Sequence, residues 1–371
     1  MSIFILAIKK YRKKIEMALD ILPLGLGSKF ILPLIKWMLE VFYYGVPFKR
    51  FQRWQYIKKE AKKLSKAITN GANNVIIVYD NSVAPPTFGD MFFSIMLARY
   101  FSLCHMNVVF YIIDSEYRDD WNLLTETEEG KRKFVDEQVN LAKTIINSPL
   151  AEIRRGSWAD YTDAWSKFSM DSIIVFDDKV KYRARVYHSV WMLLNMLVSR
   201  SEDEILDRLL LTGEELKRHI DVQPIPLEPY ITIGCRYSGK WAVERNISLN
   251  EFLIINKALR KRFPNHRIMI VSCEQGCEYF FNFSKINKLD CIYSKKYSST
   301  YIGDGALILN SDFFFILKGG GISVFPQFSK TPFEVYQRCD KALWWSRNKW
   351  AFWQNQEQLS VNADELPRHY S

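Results

Sequence analysis

Seven short apolar runs, separated by stretches of helical spacing, constrain this chain more than any other feature. Asn74–Asp80 (NVIIVYD) and Asn107–Ile113 (NVVFYII) are apolar at consecutive positions rather than alternate ones. Strands of that kind need cover on both faces. Asp90–Leu103 lies between them with helical spacing, which makes a strand–helix–strand unit. Ser172–Phe176 is a further strand, with helical stretches on either side. Gln223–Pro229 then carries three prolines and reads as an extended linker. Beyond it, Tyr230–Cys235, Arg267–Ser272, Asp290–Tyr293 and Asp312–Leu317 are strands. Ser248-Leu-Asn-Glu251 is a capping box that opens a helix running to about Phe263, where Pro264 and Asn265 break the chain. The expectation is an α/β protein with two Rossmann-like domains joined by a proline-rich hinge. The cleft between them is the natural ligand site.

The chain's 371 residues, 48% of them hydrophobic, leave room for two such domains plus an appendage. The expected division is 1–70, a basic amphipathic segment; 71–225, the first Rossmann-like domain; 226–345, the second; and 346–371, a helix and tail. The net charge of +10 sits at one end, because residues 1–66 hold 15 Lys/Arg against four Asp/Glu. A nearly neutral body argues against nucleic-acid binding by the fold itself. A basic end favours an anionic surface. Phe51, Trp54, Ile57, Ala61, Leu64 and Ile68 recur at helical steps with lysines and arginines on the other faces. In Phe30–Phe48, Lys36 and Glu40 interrupt an otherwise apolar run. Central charges cost about 2.5–3.5 kcal/mol each on insertion, which favours lying in the membrane interface over spanning it. The expected location is cytoplasmic, peripheral on the inner membrane. The six cysteines lack zinc spacing and read as free thiols in a reducing compartment.

Three loops follow strands and could carry chemistry. In Asp80-Asn-Ser-Val-Ala-Pro-Pro-Thr-Phe-Gly-Asp90, Gly89 permits close backbone approach, and Asn81 and Ser82 are polar groups at the strand's end that could meet a ligand. Asp90 either caps the following helix or accepts a proton from a hydroxyl nucleophile, and the residues alone favour the cap. After the strand at 230, Arg236, Lys240 and Arg245 converge on a helix start, a pattern suited to phosphate. After the strand at 312, Gly319, Gly320, Gly321 and Ser323 form a turn whose N–H groups could face an anion, although it matches neither GxxxxGK[ST] nor GxGxxG. Thr331-Pro-Phe-Glu334 reads as a second capping box, with Glu334 a cap rather than a ribose ligand. Asp177-Asp178 could bind a metal, but the basic run Lys179–Arg185 suggests ion pairing instead, and no metal is expected. The tryptophans at 344, 345, 350 and 353 read as packing.

Taken together, these residues resemble glycosyltransferases of the two-Rossmann GT-B architecture over about 71–345. Thr87-Phe-Gly-Asp90 is similar to the glycine–aspartate loop of heptosyltransferases. Ile231-Thr-Ile-Gly-Cys-Arg236 is similar to the strand-to-arginine motif of fucosyltransferase-like enzymes. Gly303-Asp-Gly305, Gly319-Gly-Gly321 and Pro332-Phe-Glu334 are similar to the donor-binding half. The resemblance implies a nucleotide-sugar donor held by Arg236, Lys240, Arg245, Gly319–Gly321, Ser323 and Glu334. It implies Asp90 as the base, no cofactor, and a lipid-linked or polysaccharide acceptor at the membrane, as in bacterial lipopolysaccharide, O-antigen or capsule assembly. Two other readings are a polyol-phosphate transferase and a non-catalytic membrane-bound scaffold. The former leans on strand-end histidines, and His266 lies at a strand's start.

Overall fold

The computed structural model describes residues 73–160 (except 83, 85, 119, 120, 123, 124 and 126), 172–175, 203–221 and 225–336 (except 227, 240–242, 244, 245, 318 and 319). It also describes Lys62 and residues 190, 193, 194, 197, 198 and 201. The basic helix, the run 30–48, Asp177–Asp178, Lys179–Arg185, the tryptophan cluster and the tail 346–371 lie outside the described residues, as do Lys240, Arg245 and Gly319. Contacts divide the chain into two compact units, Met1–Leu64 and Ser65–Ser371.

The second unit holds two all-parallel sheets. The first has strands β1 (Asn74–Asp80), β2 (Asn107–Ile113), β3 (Ala151–Gly156) and β4 (Ser172–Val175), in the order β3-β2-β1-β4. The other has β5 (Tyr230–Gly234), β6 (Arg267–Val271), β7 (Cys291–Tyr293), β8 (Phe314–Leu317) and β9 (Phe333–Tyr336), in the order β7-β6-β5-β8-β9. In each sheet the chain winds outward from its first strand and then returns to that strand's other side. This is the doubly wound arrangement expected of helix-linked apolar strands.

The helices are α1 (Phe88–Leu103), α2 (Glu128–Ile146), α3 (Asp203–Leu209), α4 (Gly213–Leu216), α5 (Leu249–Arg262), α6 (Glu274–Ile286), α7 (Tyr301–Leu309) and α8 (Val324–Gln327). The Ser248 capping box forms: Glu251 N–H donates to the Ser248 hydroxyl at 3.2 Å, and Ser248 N–H donates to the Glu251 carboxylate at 2.7 Å. Helix α1 has no polar stripe, and every residue from Met91 to Ser102 is buried. A helix apolar all round needs partners all round. One side packs on β1 and β2. Another meets the elements around the second sheet, where Phe92 lies 5.0 Å from Phe325 and Phe93 lies 5.9 Å from Phe328 between ring centroids.

The one charge within that buried stretch is Arg99, 8% exposed. Its guanidinium donates to the carbonyls of Ile145 (2.6 Å) and Arg208 (3.0 Å) and to the Glu215 carboxylate (2.6 Å). One fork thereby joins α1 to the ends of α2 and α3 and to α4. A buried cation survives only with this degree of hydrogen bonding.

Two expectations need correction. Thr331-Pro-Phe-Glu334 does not open a helix, because Phe333–Tyr336 is β9, in parallel register with β8 from Phe314↔Phe333 to Leu317↔Tyr336. The alternating Phe-Glu-Val-Tyr sequence suits a pleated strand, and long-range pairing overrides the local capping pattern. The polar edge strand β3 (AEIRRG) is an addition to the expected strands, since its sequence carries no apolar run. Its charges are what an exposed sheet edge tolerates.

Candidate active site

In doubly wound sheets, ligands bind beyond the carboxyl ends of the strands, where the winding direction reverses. In the first sheet that place is between β1 and β4, and in the second between β5 and β8. The loops after β1, β5 and β8 are the three singled out from sequence. Register adds a constraint: Gly234 pairs with Ile316, so the β5 and β8 loops leave the sheet side by side.

The loop after β1 is internally tied. The Asp80 carboxylate accepts from Ser82 N–H (3.0 Å), the Ser82 hydroxyl (2.7 Å) and the Trp158 indole (3.2 Å). Asn81 is fully buried and exchanges two amide hydrogen bonds with Gln138 of α2, at 3.1 and 3.2 Å. These contacts give Asn81 and Ser82 a structural task, holding the loop against α2. Thr87 is the N-cap of α1 and accepts from Asp90 N–H at 3.4 Å. Its hydroxyl donates to Asp90 Oδ2 at 2.5 Å. The N-cap of α1 is therefore Thr87 and not Asp90, which is the third helical residue and is held by the cap's hydroxyl.

Gly89 is buried because the glycine-rich turn presses on it. A Cβ placed on Gly89 would lie 2.7 Å from Gly321 Cα and 3.3 Å from Gly321 O. A side chain at position 89 would collide with that backbone, so the close approach requires glycine there. The loop after β1 and the loop after β8, from different sheets, thus meet backbone to backbone one residue from Asp90.

In the glycine-rich turn, the Gly320 carbonyl accepts from Ser323 N–H (3.1 Å) and the Ser323 hydroxyl (2.7 Å). Ser323 is wholly buried and serves the turn's own shape. The Gly321 carbonyl accepts from the Tyr301 hydroxyl at 2.8 Å. Arg236 directly follows the buried Cys235 at the end of β5 and is half-buried. The stretch after it is braced: Asn246 donates to the Ser238 carbonyl at 2.8 Å, and Gly276 of α6 leaves room for Tyr237. Glu334, 5% exposed, lies on β9 and pairs with Arg262 at 2.6 Å, so its carboxylate serves the α5–β9 packing.

Sequence reasoning missed Tyr301 and Lys295. Tyr301 opens α7 behind the N-cap Thr300, at the carboxyl side of β7. Its ring stacks on Phe88 at 4.6 Å, and Phe88 stacks on Phe134 of α2 at 4.3 Å. Burial, with the Asp304 and Asp90 carboxylates nearby, pushes the Tyr301 phenol well above its usual value, so it remains a donor. Lys295 pairs with Asp304 at 2.6 Å, both side chains being largely buried. Burial raises the Asp304 carboxyl despite Lys295 and Ser294, which act the other way. Glu137 of α2 is likewise raised by burial, with Lys133 and Lys295 opposing. Thr300 could have been read from sequence as an N-cap; the ring contacts could not.

A cavity of about 280 Å³ lined by Lys143, Asn147, Ser148, Pro149, Ala151 and Ile153 opens at the amino end of β3, the opposite edge from the switch point. Among the described residues, no group of three or more His, Cys, Asp and Glu side chains is arranged to hold a metal ion. No described helix is long and apolar enough to cross a membrane.

No protein-family model and no curated protein matches the chain. Solved structures similar to it include E. coli ADP-heptose lps heptosyltransferase II, with 11% identity and TM-score 0.36 over 71% of this chain and 84% of that one. POFUT1 in complex with GDP-fucose has 8% identity and TM-score 0.34 over 71% and 98%. A putative UDP-N-acetylglucosamine 2-epimerase from Listeria monocytogenes has 9% identity and TM-score 0.36 over 81% and 87%. At these scores the likeness is loose, and function rests on this chain's own residues.

Proposed function

We propose that this protein is a glycosyltransferase that moves a sugar from a nucleotide-sugar donor to a glycan or lipid-linked acceptor. The observation that carries the reading is the Gly89–Gly321 contact, which sets a carboxylate, Asp90, beside a glycine-rich turn where two doubly wound sheets bring their switch-point loops together. The sequence motifs of the same three loops support it.

In this reading Asp90 accepts the proton of the acceptor hydroxyl as that oxygen attacks the anomeric carbon. The bond from that carbon to the donor's phosphate oxygen breaks, and the nucleoside diphosphate departs with the electron pair. Arg236 and the turn N–H groups, joined by Lys240 and Arg245, carry the growing negative charge in place of a metal ion. Attack from the face opposite the leaving group inverts the sugar. The Thr87 hydroxyl holds Asp90 in a fixed rotamer through its 2.5 Å bond.

The basic, aromatic segment 1–66 suits an anionic membrane surface, which would bring a lipid-linked acceptor to the cleft at the cytoplasmic face. Assembly of bacterial surface polysaccharide is the setting that fits such an acceptor. The polyol-phosphate alternative gains no support from His266, which precedes β6 and bonds Asp312 at 3.0 Å, away from the strands' carboxyl ends.

The test is a thermal-shift screen of the full chain against nucleoside diphosphates and nucleotide sugars, followed by transfer assays. A ligand at 100 times its dissociation constant should stabilise by about 2.7 kcal/mol. No shift with any nucleotide, or full turnover in Arg236→Ala, overturns the reading.

A further inference from the structure

We propose that Tyr301 is a positioning residue that aims the glycine-rich turn at the donor and fixes its distance from Asp90. This rests on the glycosyltransferase reading and adds to it a residue that neither the sequence motifs nor the loop positions single out.

In a trans peptide the C=O and the following N–H point in opposite directions. The Gly320 carbonyl is held by Ser323, through its N–H at 3.1 Å and its hydroxyl at 2.7 Å. The Gly321 carbonyl accepts from the Val324 N–H within the turn and, from outside it, from the Tyr301 hydroxyl at 2.8 Å. With both carbonyls tied inward, the N–H groups of Gly321 and Ile322 are turned the other way, off the start of the 3-10 turn Gly321–Ser323. The Ser323 anchor is local to the turn. The Tyr301 anchor comes from a different element, so it ties the turn to the rest of the site.

Tyr301 is itself fixed from the β1 loop. Its ring stacks on Phe88 at 4.6 Å, with 26° between the planes. Phe88 is in turn stacked on Phe134 at 4.3 Å and 16°. Phe88 stands between the N-cap Thr87 and Gly89, two residues before Asp90. Phe325, at 5.2 Å, closes the other side of the Tyr301 ring. The ring thus registers the position of the Asp90 loop, and the hydroxyl transmits it to Gly321. With its phenol held protonated by burial and nearby carboxylates, Tyr301 keeps that donor role across the working pH range.

Tyr301→Phe removes the hydroxyl and keeps the ring stack, so the protein should melt close to the wild type. Two measurements then decide. In hydrogen exchange, the amides of residues 320–324 should exchange faster in Tyr301→Phe, with β1 and β5 unchanged. In steady-state kinetics, KM for the nucleotide sugar should rise at least tenfold while KM for the acceptor stays within twofold. Unchanged exchange at 320–324 overturns the proposal, because the hydroxyl then does not hold the turn. Faster exchange with unchanged donor KM also overturns it, because the turn's aim then does not matter to the donor. If the wild type binds none of UDP, GDP, ADP or CDP by calorimetry, the glycosyltransferase reading fails, and with it the donor role; the exchange result then decides only whether Tyr301 holds the turn.

Discussion

Gly89 and Gly321, from loops of two different sheets, cross so closely that a Cβ on Gly89 would stand 2.7 Å from the Gly321 Cα. The obstacle is backbone, which cannot swing aside as a side-chain tip can. Gly89→Ala is therefore expected to destabilise by about 1–3 kcal/mol, the usual cost of overpacking. Gly239→Ala is the control, since a Cβ there meets nothing within 4 Å, and it should stay within about 0.5 kcal/mol of wild type. Urea midpoints of the two variants check this, and equal midpoints would show that the crossing is slack.

The Arg99 fork predicts an asymmetric pair of mutants. Arg99→Met leaves the Glu215 carboxylate without its cation and the carbonyls of Ile145 and Arg208 without that donor. Breaking a buried pair from one side costs about 3–5 kcal/mol. Glu215→Gln keeps the carbonyl contacts and retains an acceptor for the fork, so it should cost clearly less. Denaturant unfolding of both variants tests the order, and a Glu215→Gln loss equal to that of Arg99→Met contradicts it.

Seven of the nine described strands are legible in the sequence because their apolar runs are continuous, whereas β3 and β9 carry no such run. Asn74–Asp80 and Asn107–Ile113 match their strands at both ends. The Ser248 capping box is equally readable, since its two hydrogen bonds lie within four residues. Local pattern fails where long-range pairing decides the outcome. Thr331–Glu334 has the letters of a cap, yet β8 draws Phe333–Tyr336 into the sheet. The site divides in the same way. Gly89, Asp90 and Gly321 carry a signal in their residue type. Tyr301 is an ordinary helix-start residue in sequence, and only the fold brings its hydroxyl to a carbonyl 20 residues away. Likewise Ser323 and Glu334 look like ligand groups by type, but their partners within the chain, Gly320 and Arg262, are set by packing.

Asp304 predicts a pH dependence of stability. Its carboxyl is raised in the folded protein, chiefly by burial, above its ordinary value of 3.8. The native state then holds this proton at pH values where the unfolded chain has released it. Stability from this group is complete below about 3.8 and is lost as pH rises through the raised folded value. Glu137, also raised by burial, adds the same sign. Asp221 is lowered by its bonds to Ser299 N–H (2.8 Å) and hydroxyl (2.7 Å) and acts oppositely, at lower pH. In Asp304→Asn the fall in stability as pH rises above 3.8 should be shallower than in wild type. Urea midpoints at four pH values decide, and parallel curves would refute the assignment.

Asp90 is held by the hydroxyl of the N-cap Thr87 and is the base of the proposed mechanism, and substitution can separate the two roles. Thr87 holds it by a 2.5 Å hydroxyl bond, and its own N–H donates to that hydroxyl at 3.4 Å. Asp90→Asn keeps an oxygen able to accept from Thr87 and leaves the backbone N–H in place, so the cap largely survives. What it removes is the capacity to take a proton. General-base catalysis contributes about 10²–10⁴-fold, so kcat should fall by that order with the melting temperature little changed. Thr87→Ala should do the reverse: it should lose about 1 kcal/mol of helix-cap stability and a smaller share of kcat, because Asp90 keeps its carboxylate but loses its fixed rotamer. If Asp90→Asn lowers stability as much as Thr87→Ala and leaves kcat intact, Asp90 only supports the Thr87 cap.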